Sequence, residues 1–335
     1  MVLGEFKKHW GPKICSWFPL DFWHRLLKLE LVLPYYHVIS DQGLAHISGL
    51  FKFRNVSQFK TDLEFFLRFY TPVSIEDIVR HLDGNHQLPH RCFLLSFDDG
   101  FRENYDVVAP ILQEQGVPAV FFLTTSVLDN HELCYPQKKS LLIRATVSLG
   151  DSASVREALR RLNGKGVKGP DLASCIRNIT YRQRHILDEV EALLRCDFAG
   201  YAASVQPYLT SEQVRSLIKK GFTIGAHSID HPPYSELTLE EQLIQTRESI
   251  NWLSSRFQYE CQTFAFPHRD TGVLPEFFQT TFADGRLKVS FGASGIYRHF
   301  FRRNLERFTM EKTDLKAAQI LAREFGVNVL RGLLR

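Results

Sequence analysis

The chain has 335 residues, of which 44% are apolar and 23% charged, and this length suits one large α/β barrel or one domain with a large insertion. Its net charge of +4 does not indicate a nucleic-acid partner, although it is compatible with an anionic substrate or membrane surface. No apolar run reaches about 18 residues, so we expect no transmembrane helix. The first residues lack the apolar core of a signal peptide, and the six cysteines form no Cys-x-x-Cys pair. We therefore expect reduced thiols and a cytoplasmic protein, with peripheral attachment at the inner face of the membrane as an alternative.

Residues 1–30 form a segment that is rich in aromatic and basic side chains. Peripheral contact with a membrane through residues 1–28 is one interpretation, because aromatic rings favour the interface and basic groups favour anionic lipids. Packing of the same rings against the rest of the protein is the alternative. The residues concerned are Lys7, Lys8, Trp10, Lys13, Trp17, Phe18, Phe22, Trp23, His24, Arg25 and Lys28.

Strand and helix patterns then alternate along the chain, which predicts a parallel α/β sheet. Predicted strands lie at 31–39, 92–96, 119–123, 222–226, 263–266 and 287–291. Predicted helices lie at 57–70, 74–84, 102–115, 210–221, 238–257 and 315–334. Three of these helices begin at a capping-box pair, in which side chains three residues apart satisfy free backbone N–H groups. The pairs are Ser74 with Asp77, Thr210 with Gln213, and Thr238 with Glu241.

The pattern between about residues 128 and 207 is mostly helical and interrupts the alternation, so it predicts an insertion. We divide the chain into the N-terminal segment 1–30, a barrel at 31–312 and a C-terminal helix at 313–335. The insertion follows the strand at 119–123 and therefore starts on the face where the strands end. That face carries the reactive groups in α/β barrels, so we expect the insertion beside the mouth of the active site.

Two polar clusters follow predicted strands. Ser96-Phe97-Asp98-Asp99-Gly100 places adjacent carboxylates at a strand end, where one can bind a metal while the other faces a bound water. His227-Ser228-Ile229-Asp230-His231 places two imidazoles in a loop, because the following Pro232 opposes a helix. Two histidines with one carboxylate form a donor set typical of catalytic zinc, and they leave one position open. Taken separately, the first motif is also a common turn and the second pair is also compatible with chance.

Together, the two clusters resemble the first and second motifs of the polysaccharide deacetylase, or NodB-homology, family of carbohydrate esterases. The resemblance runs from about residue 31 to residue 310, interrupted by the insertion. It implies a distorted (β/α)7 barrel and a divalent metal, most often Zn²⁺, held by Asp99, His227 and His231. It also implies that Asp98 is the general base in the removal of acetyl from an N-acetylated sugar.

The remaining family motifs match less well. Phe264-Ala265-Phe266-Pro267 fits one variant of the third motif, but Arg269 stands where glycine is expected. The arginine that tethers the catalytic aspartate could be Arg307 or Arg269. The late motif that carries the general acid is absent, and His268 or His299 could replace it. We assign catalytic roles to Asp98, His268 and Arg307, and substrate contacts to His37, Pro267 and Arg269.

The substrate is less well defined than the chemistry. An N-acetylated glycan or a lipid-linked sugar precursor fits the aromatic, basic N-terminus. Two other functions remain open: a different C–N amide hydrolase on the same barrel, and a non-catalytic glycan-binding or assembly protein, for which the missing general-acid motif is the best argument.

Overall fold

The computed structural model describes residue 15, residues 17–312 and residues 314–333. The part of the aromatic and basic segment that contains Lys7, Lys8, Trp10 and Lys13 lies outside these described residues.

Eleven short strands form two parallel sheets within the described residues. They are β1 (Leu31–Val32), β2 (Pro34–Tyr36), β3 (Thr71–Pro72), β4 (Cys92–Phe93), β5 (Leu95–Phe97), β6 (Ala119–Leu123), β7 (Thr223–Ala226), β8 (Thr263–Ala265), β9 (Val289–Gly292), β10 (Asn304–Glu306) and β11 (Phe308–Thr309). The smaller sheet has the order β1-β4-β3, and it precedes β2 and β5 along the chain. It therefore lies at the amino-terminal end of the barrel.

The larger sheet has the order β10-β9-β8-β7-β6-β5-β2-β11, with every pair parallel. Its two edge strands are consecutive along the chain, since only Arg307 separates β10 from β11. Segment 304–309 therefore pairs with β9 at one end and with β2 at the other, and it closes the ring. If that segment is counted once, the barrel has seven strand positions, which confirms the predicted distorted (β/α) barrel.

Helices surround this barrel in the predicted order. They are α1 (Leu20–Leu27), α2 (Ala45–Ser48), α3 (Val56–Phe69), α4 (Ile75–Leu82), α5 (Ala109–Glu114), α6 (Tyr135–Leu149), α7 (Ala153–Gly164), α8 (Leu172–Asn178), α9 (Ile186–Leu194), α10 (Phe198–Val205), α11 (Ser211–Lys219), α12 (Leu239–Phe257), α13 (Pro275–Phe282) and α14 (Ala317–Leu333). All three predicted capping boxes are present. The predicted helix at 102–115 instead begins with a π-helical turn, Asn104–Val108, before α5.

Apolar side chains of the strands alternate between two layers, as the twofold period of a strand requires. In β6, Val120 and Phe122 belong to the cluster inside the barrel, whereas Phe121 and Leu123 pack outward against the helices. Each fully buried aromatic or aliphatic side chain of this kind contributes about 1.5–3 kcal/mol to folding. The interior is thus a packed apolar core at the level of Val120 and Phe122.

Between β6 and α11, the helix that precedes β7, the chain contains α6 to α10 and no strand. These helices have an apolar cluster of their own, which also includes Val38, Ile47, Phe101 and Tyr208 from the neighbouring barrel loops. Those loops follow the carboxyl ends of β2 and β5 or lead towards β7. The helical stretch therefore packs over the carboxyl-terminal face of the barrel.

Helix α1 is anchored at the opposite end. The ring of His24 hydrogen-bonds the Leu29 carbonyl, just before β1, and the Tyr70 hydroxyl, just before β3. Trp23 is buried, while Trp17, Phe18 and Phe22 are exposed. The segment therefore packs on the barrel with one face and presents aromatic rings to solvent with the other. Among the described residues no helix has the length and apolarity needed to cross a membrane.

Candidate active site

The aspartate pair lies where β5 ends. The Asp98 N–H donates to the Tyr36 carbonyl, and the backbone then turns sharply, with φ of 71° at Asp99 and 73° at Gly100. A Cβ atom at Gly100 would lie 3.0 Å from the Leu123 side chain, so glycine is required both for conformation and for space. The turn sends the two buried carboxylates in different directions.

Asp99, His227 and His231 converge at one point, as the sequence predicted. Asp99 Oδ1 lies 3.4 Å from His227 Nε2 and 3.0 Å from His231 Nε2, and all three side chains are buried. The loop that carries the second histidine is held by a hydrogen bond from the His231 N–H to Ser228 Oγ, and both residues have positive φ. Positive φ at non-glycine residues costs free energy and is characteristic of functional sites.

The hydrogen bonds around Asp99, His227 and His231 leave an oxygen and ring nitrogens that can bind a divalent cation. His227 Nδ1 donates to the Ala265 carbonyl (2.8 Å), so the neutral ring directs the lone pair of Nε2 towards Asp99. Asp99 Oδ1 is buried without a hydrogen-bond donor. Burial alone would raise the pKa of Asp99, but His231 and His227 outweigh it and hold the pKa well below its usual range. One anionic oxygen and two imidazole nitrogens are donors that zinc and related ions prefer.

Asp98 is held by Arg307. The Arg307 Nη1 and Nη2 atoms donate to Asp98 Oδ1 (2.6 Å) and Oδ2 (2.8 Å), and further bonds reach Ser96 Oγ and the Gly292 carbonyl. Burial alone would raise the pKa of Asp98, but the guanidinium outweighs it and the pKa lies below its usual value. Of the two arginines considered from the sequence, Arg307 is therefore the tether, and Asp98 is anionic at neutral pH.

Arg307 itself is fully buried inside the barrel. Its guanidinium lies 4.7 Å from the centre of the Tyr35 ring and 5.1 Å from that of Phe122, which supplies cation–π attraction in addition to the ion pair. Because the residue interrupts the strand that closes the ring, its side chain enters the interior from the closing point.

His37 follows β2 and forms a second acid–base pair. Its Nδ1 lies 2.6 Å from Glu311 Oε2, and the backbone N–H groups of His37 and Val38 donate to Glu311 Oε1. Burial lowers the pKa of His37, but the Glu311 carboxylate outweighs burial and raises the pKa to about 10. The ring is therefore protonated at neutral pH. The sequence analysis missed Glu311 because it lies 274 residues away and in no recognisable motif.

His268 lies across the site, packed against His231 with ring centres 4.7 Å apart. Its Nε2 hydrogen-bonds the hydroxyl of Tyr135, which comes from the helical stretch and was also not predicted. The ring faces inward although the residue is exposed at the cavity mouth, and desolvation together with His231 lowers its pKa. The lowered pKa disfavours His268 as a proton donor, whereas the raised pKa of His37 favours that ring.

A cavity of about 540 Å³ lies at this site, and its lining includes His37, Asp98, Asp99, His227, His231 and His268. Pro136 and Gln137 of α6 form part of its wall, so the helical stretch contributes to the site. Arg269 also lines the cavity, and it forms no hydrogen bond or ion pair with any described residue. Pro267, which we predicted to contact substrate, is instead buried outside the lining, because the chain turns at His268 (φ 59°) and only later residues face the cavity.

His299, the other candidate for general acid, lies in a separate cluster with Asp270 and Glu306. The Phe301 N–H donates to His299 Nδ1, so the proton of the neutral ring is on Nε2, which faces Asp270 Oδ2 at 3.5 Å. That tautomer has no lone pair for a metal at Nε2. Burial and Asp270 raise the pKa of Glu306 to about 8. The cluster is thus a hydrogen-bonded anchor for the loop that carries His268 and Arg269.

Several solved structures are similar to this chain in fold. The chain is similar in fold to the Streptococcus pyogenes deacetylase PplD in complex with acetate, with a TM-score of 0.57, 14% identity, and coverage of 88% of this chain and 98% of that one. It is also similar to IcaB from Ammonifex degensii (TM-score 0.55, 13% identity, coverage 88% and 97%). A third similar structure is a de-N-acetylase from Aggregatibacter actinomycetemcomitans (TM-score 0.53, 15% identity, coverage 88% and 99%).

No curated protein matches the chain in sequence. The profile described as polysaccharide deacetylase, however, matches residues 85–273, which is more than half of the chain and includes the aspartate pair and both histidines. The chain therefore belongs to the polysaccharide deacetylase family.

Proposed function

We propose that the protein is a metal-dependent N-deacetylase that removes acetyl from an N-acetylated sugar of a glycan. The observation that carries the proposal is the convergence of Asp99, His227 and His231 beside Asp98, with the lone pair of His227 Nε2 directed at an unpaired carboxylate oxygen. The family assignment and the similarity in fold to deacetylases support the same chemistry.

Asp99, His227 and His231 would hold the cation, which would polarise the amide carbonyl and acidify a water molecule. Asp98 would accept the proton of that water as it attacks, since Arg307 keeps the carboxylate ionised and fixes its orientation. Each oxygen of Asp98 keeps a second lone pair after its bond to Arg307, so the tether leaves the base free to act.

His37 would protonate the leaving amine. Glu311 holds Nδ1, which leaves Nε2 as the nitrogen that can donate into the cavity. Collapse of the tetrahedral intermediate requires a proton donor near the amine nitrogen, and the His37–Glu311 pair supplies a protonated ring on the cavity wall. His268 and Tyr135 would instead contact the sugar at the mouth.

The experiment combines metal content with acetate release. Purified wild-type protein should contain about one zinc-like ion per chain and release acetate from at least one N-acetylated oligosaccharide. His231→Ala should lose both, whereas Asp98→Asn should keep the metal and lose turnover. His299→Ala is the matched control, since it removes a buried histidine from the separate cluster and should keep the metal. Metal retained at full stoichiometry in His231→Ala would exclude the assigned ligands.

Membrane contact through α1 is a separate proposal, supported by the exposed rings of Trp17, Phe18 and Phe22. The helix lies at the amino-terminal end of strands whose run from Leu31 to Tyr36 is about 20 Å long, and the cavity lies at the other end. Contact there would not by itself deliver a lipid-linked sugar to the cavity. Salt-sensitive co-sedimentation of the full chain with anionic vesicles, reduced by Trp17→Ser, would support contact; equal sedimentation of both proteins would exclude a contact that depends on Trp17.

A further inference from the structure

A second cavity of about 480 Å³ adjoins the site. Arg269, Thr271 and Ala293 line both cavities, so the two adjoin at these residues above the carboxyl ends of β8 and β9. A substrate whose acetylated sugar occupied the first cavity would extend across these residues into the second. The size of the second cavity is within the usual range for sites that bind small ligands.

The lining of this second cavity is strongly basic. Arg269 comes from the loop after β8, Lys312 follows β11, and Arg323 and Arg331 lie on α14. Glu324 is the only acidic residue among the lining residues, whereas four of them are cationic. Like charges in a partly enclosed space repel one another and destabilise the folded state unless an anion joins them.

Hydrogen bonds hold three of these cationic groups in place. Glu324 accepts from Lys312 (2.8 Å) and Arg323 (3.1 Å), which fixes both side chains at the wall. Arg331 Nη1 donates to the Ser294 carbonyl (2.9 Å). The Arg323 side chain is only 13% exposed, yet its Nε is buried without an acceptor. Arg269 forms no bond with any described residue. Arg269 therefore keeps its donors available to a ligand in the cavity.

We infer that this cavity is a subsite for a phosphate group on the substrate, beside the sugar that carries the N-acetyl group. Guanidinium groups bind phosphate through paired, charge-assisted hydrogen bonds. Donors from separate elements suit the several oxygens of a tetrahedral phosphate better than the two coplanar oxygens of a carboxylate. The inference rests on the proposed deacetylation, and it defines the substrate as a phosphorylated amino sugar, either free or attached to a lipid through the phosphate.

Binding is tested first, independently of turnover. Titration calorimetry with inorganic phosphate uses the full-length protein after chelation, so that no metal can bind the anion. Phosphate should bind to the wild type and to His231→Ala. Arg269→Gln and Arg323→Gln should each weaken binding about tenfold, as expected for one charge-assisted contact. Arg269→Gln breaks no internal contact, so it tests the site even if Arg323→Gln misfolds. Arg286→Gln, an exposed arginine outside the cavity, is the matched control.

The second measurement compares substrates. The kcat/KM for acetate release should be higher for N-acetylglucosamine 1-phosphate than for N-acetylglucosamine, and Arg269→Gln should reduce this ratio about tenfold. A farnesyl ester of the same sugar phosphate distinguishes a free sugar phosphate from a lipid-linked one. An equal increase in kcat/KM for the ester and the free sugar phosphate indicates that the phosphate alone is recognised. An increase in kcat/KM for the ester alone indicates a lipid-linked sugar.

The two proposals fail differently. Absence of phosphate binding to the chelated wild type, or equal binding to the wild type and Arg269→Gln, would overturn the subsite even if the protein deacetylates neutral sugars. Absence of acetate release from every sugar, together with phosphate binding that depends on Arg269, would instead refute the proposed deacetylation.

Discussion

Replacement of Arg307 by methionine is the sharpest test of the relation between fold and chemistry. Methionine has a similar volume, so the change removes the charge and leaves Asp98 buried without a partner. Breaking a buried pair in this way costs about 3–5 kcal/mol. Unfolding entropy of about 2.1 cal/mol/K per residue gives about 0.7 kcal/mol/K for a chain of this length, so the Tm should fall by about 4–7 °C.

The loss of stability in Arg307→Met depends on pH, and the pKa of Asp98 determines its direction. In the wild type the folded-state pKa of Asp98 lies below the value of about 3.9 expected for the unfolded chain. The pair therefore stabilises the protein above pH ~4, and this contribution is lost as the pH falls through the folded pKa. In Arg307→Met the largest cause that lowers the pKa of Asp98 is lost, while burial still raises this pKa against the smaller effects of His227 and His37. We therefore expect the folded pKa to rise above ~3.9. Stability of the variant then falls as the pH rises above ~4, through the raised pKa.

The assay is thermal unfolding followed by circular dichroism at pH 5 and pH 8, with a chelator present so that bound metal cannot compensate Asp98. We expect the Tm difference between wild type and Arg307→Met to be larger at pH 8. Adding Asp98→Asn should restore part of the loss, because the unpaired charge is removed. Arg303→Met, which breaks a half-exposed pair with Asp83, is the control and should cost at most about 1 kcal/mol. A Tm difference below that of the control, or one equal at both pH values, would refute the reasoning.

Three further predictions concern other groups. His37→Gln and Glu311→Gln should each lower kcat by about 10²–10⁴-fold without loss of metal, measured by acetate release and elemental analysis; full activity in both would exclude this pair as the acid. Because the folded pKa of Glu306 is raised to about 8, its contribution to stability is complete below pH ~4.3 and is lost as the pH rises through about 8. Glu306→Gln should flatten the dependence of Tm on pH in that window; an unchanged slope would contradict the assignment. Tyr135→Ala should raise KM for oligosaccharides more than it lowers kcat, and an unchanged KM would remove the helical stretch from substrate binding.

The sequence predicted the elements that depend on local chemistry. The capping boxes at Ser74, Thr210 and Thr238 use side chains three residues apart, so the pattern alone defines each helix start. The trio of Asp99, His227 and His231 was equally predictable. Asp99 and His227 follow strand patterns that end at one face of the barrel, and His231 lies only four residues after His227. The number of strands was less predictable, since single residues such as Leu33 interrupt the longer predicted runs.

The remaining parts of the site depend on contacts between distant segments. The pairing of His37 with Glu311 joins the first and last strands, and the bond from Tyr135 to His268 joins the helical stretch to the loop after β8. Nothing near either residue in the sequence indicates such partners. The choice between Arg269 and Arg307 as tether was undecided for the same reason, because it depends on where the ring closes.

The position of Arg307 has a consequence for the order in which the protein acquires activity during synthesis. The nascent chain emerges from its N-terminus, so Asp98, Asp99 and both metal-binding histidines emerge well before residue 304. Until segment 304–309 pairs with β9 and β2, the barrel is open and Asp98 has no buried cation beside it. Partial chains would hold the metal ligands but not an ionised, oriented base. Hydrolytic activity is therefore expected only after segment 304–309 has paired with β9 and β2.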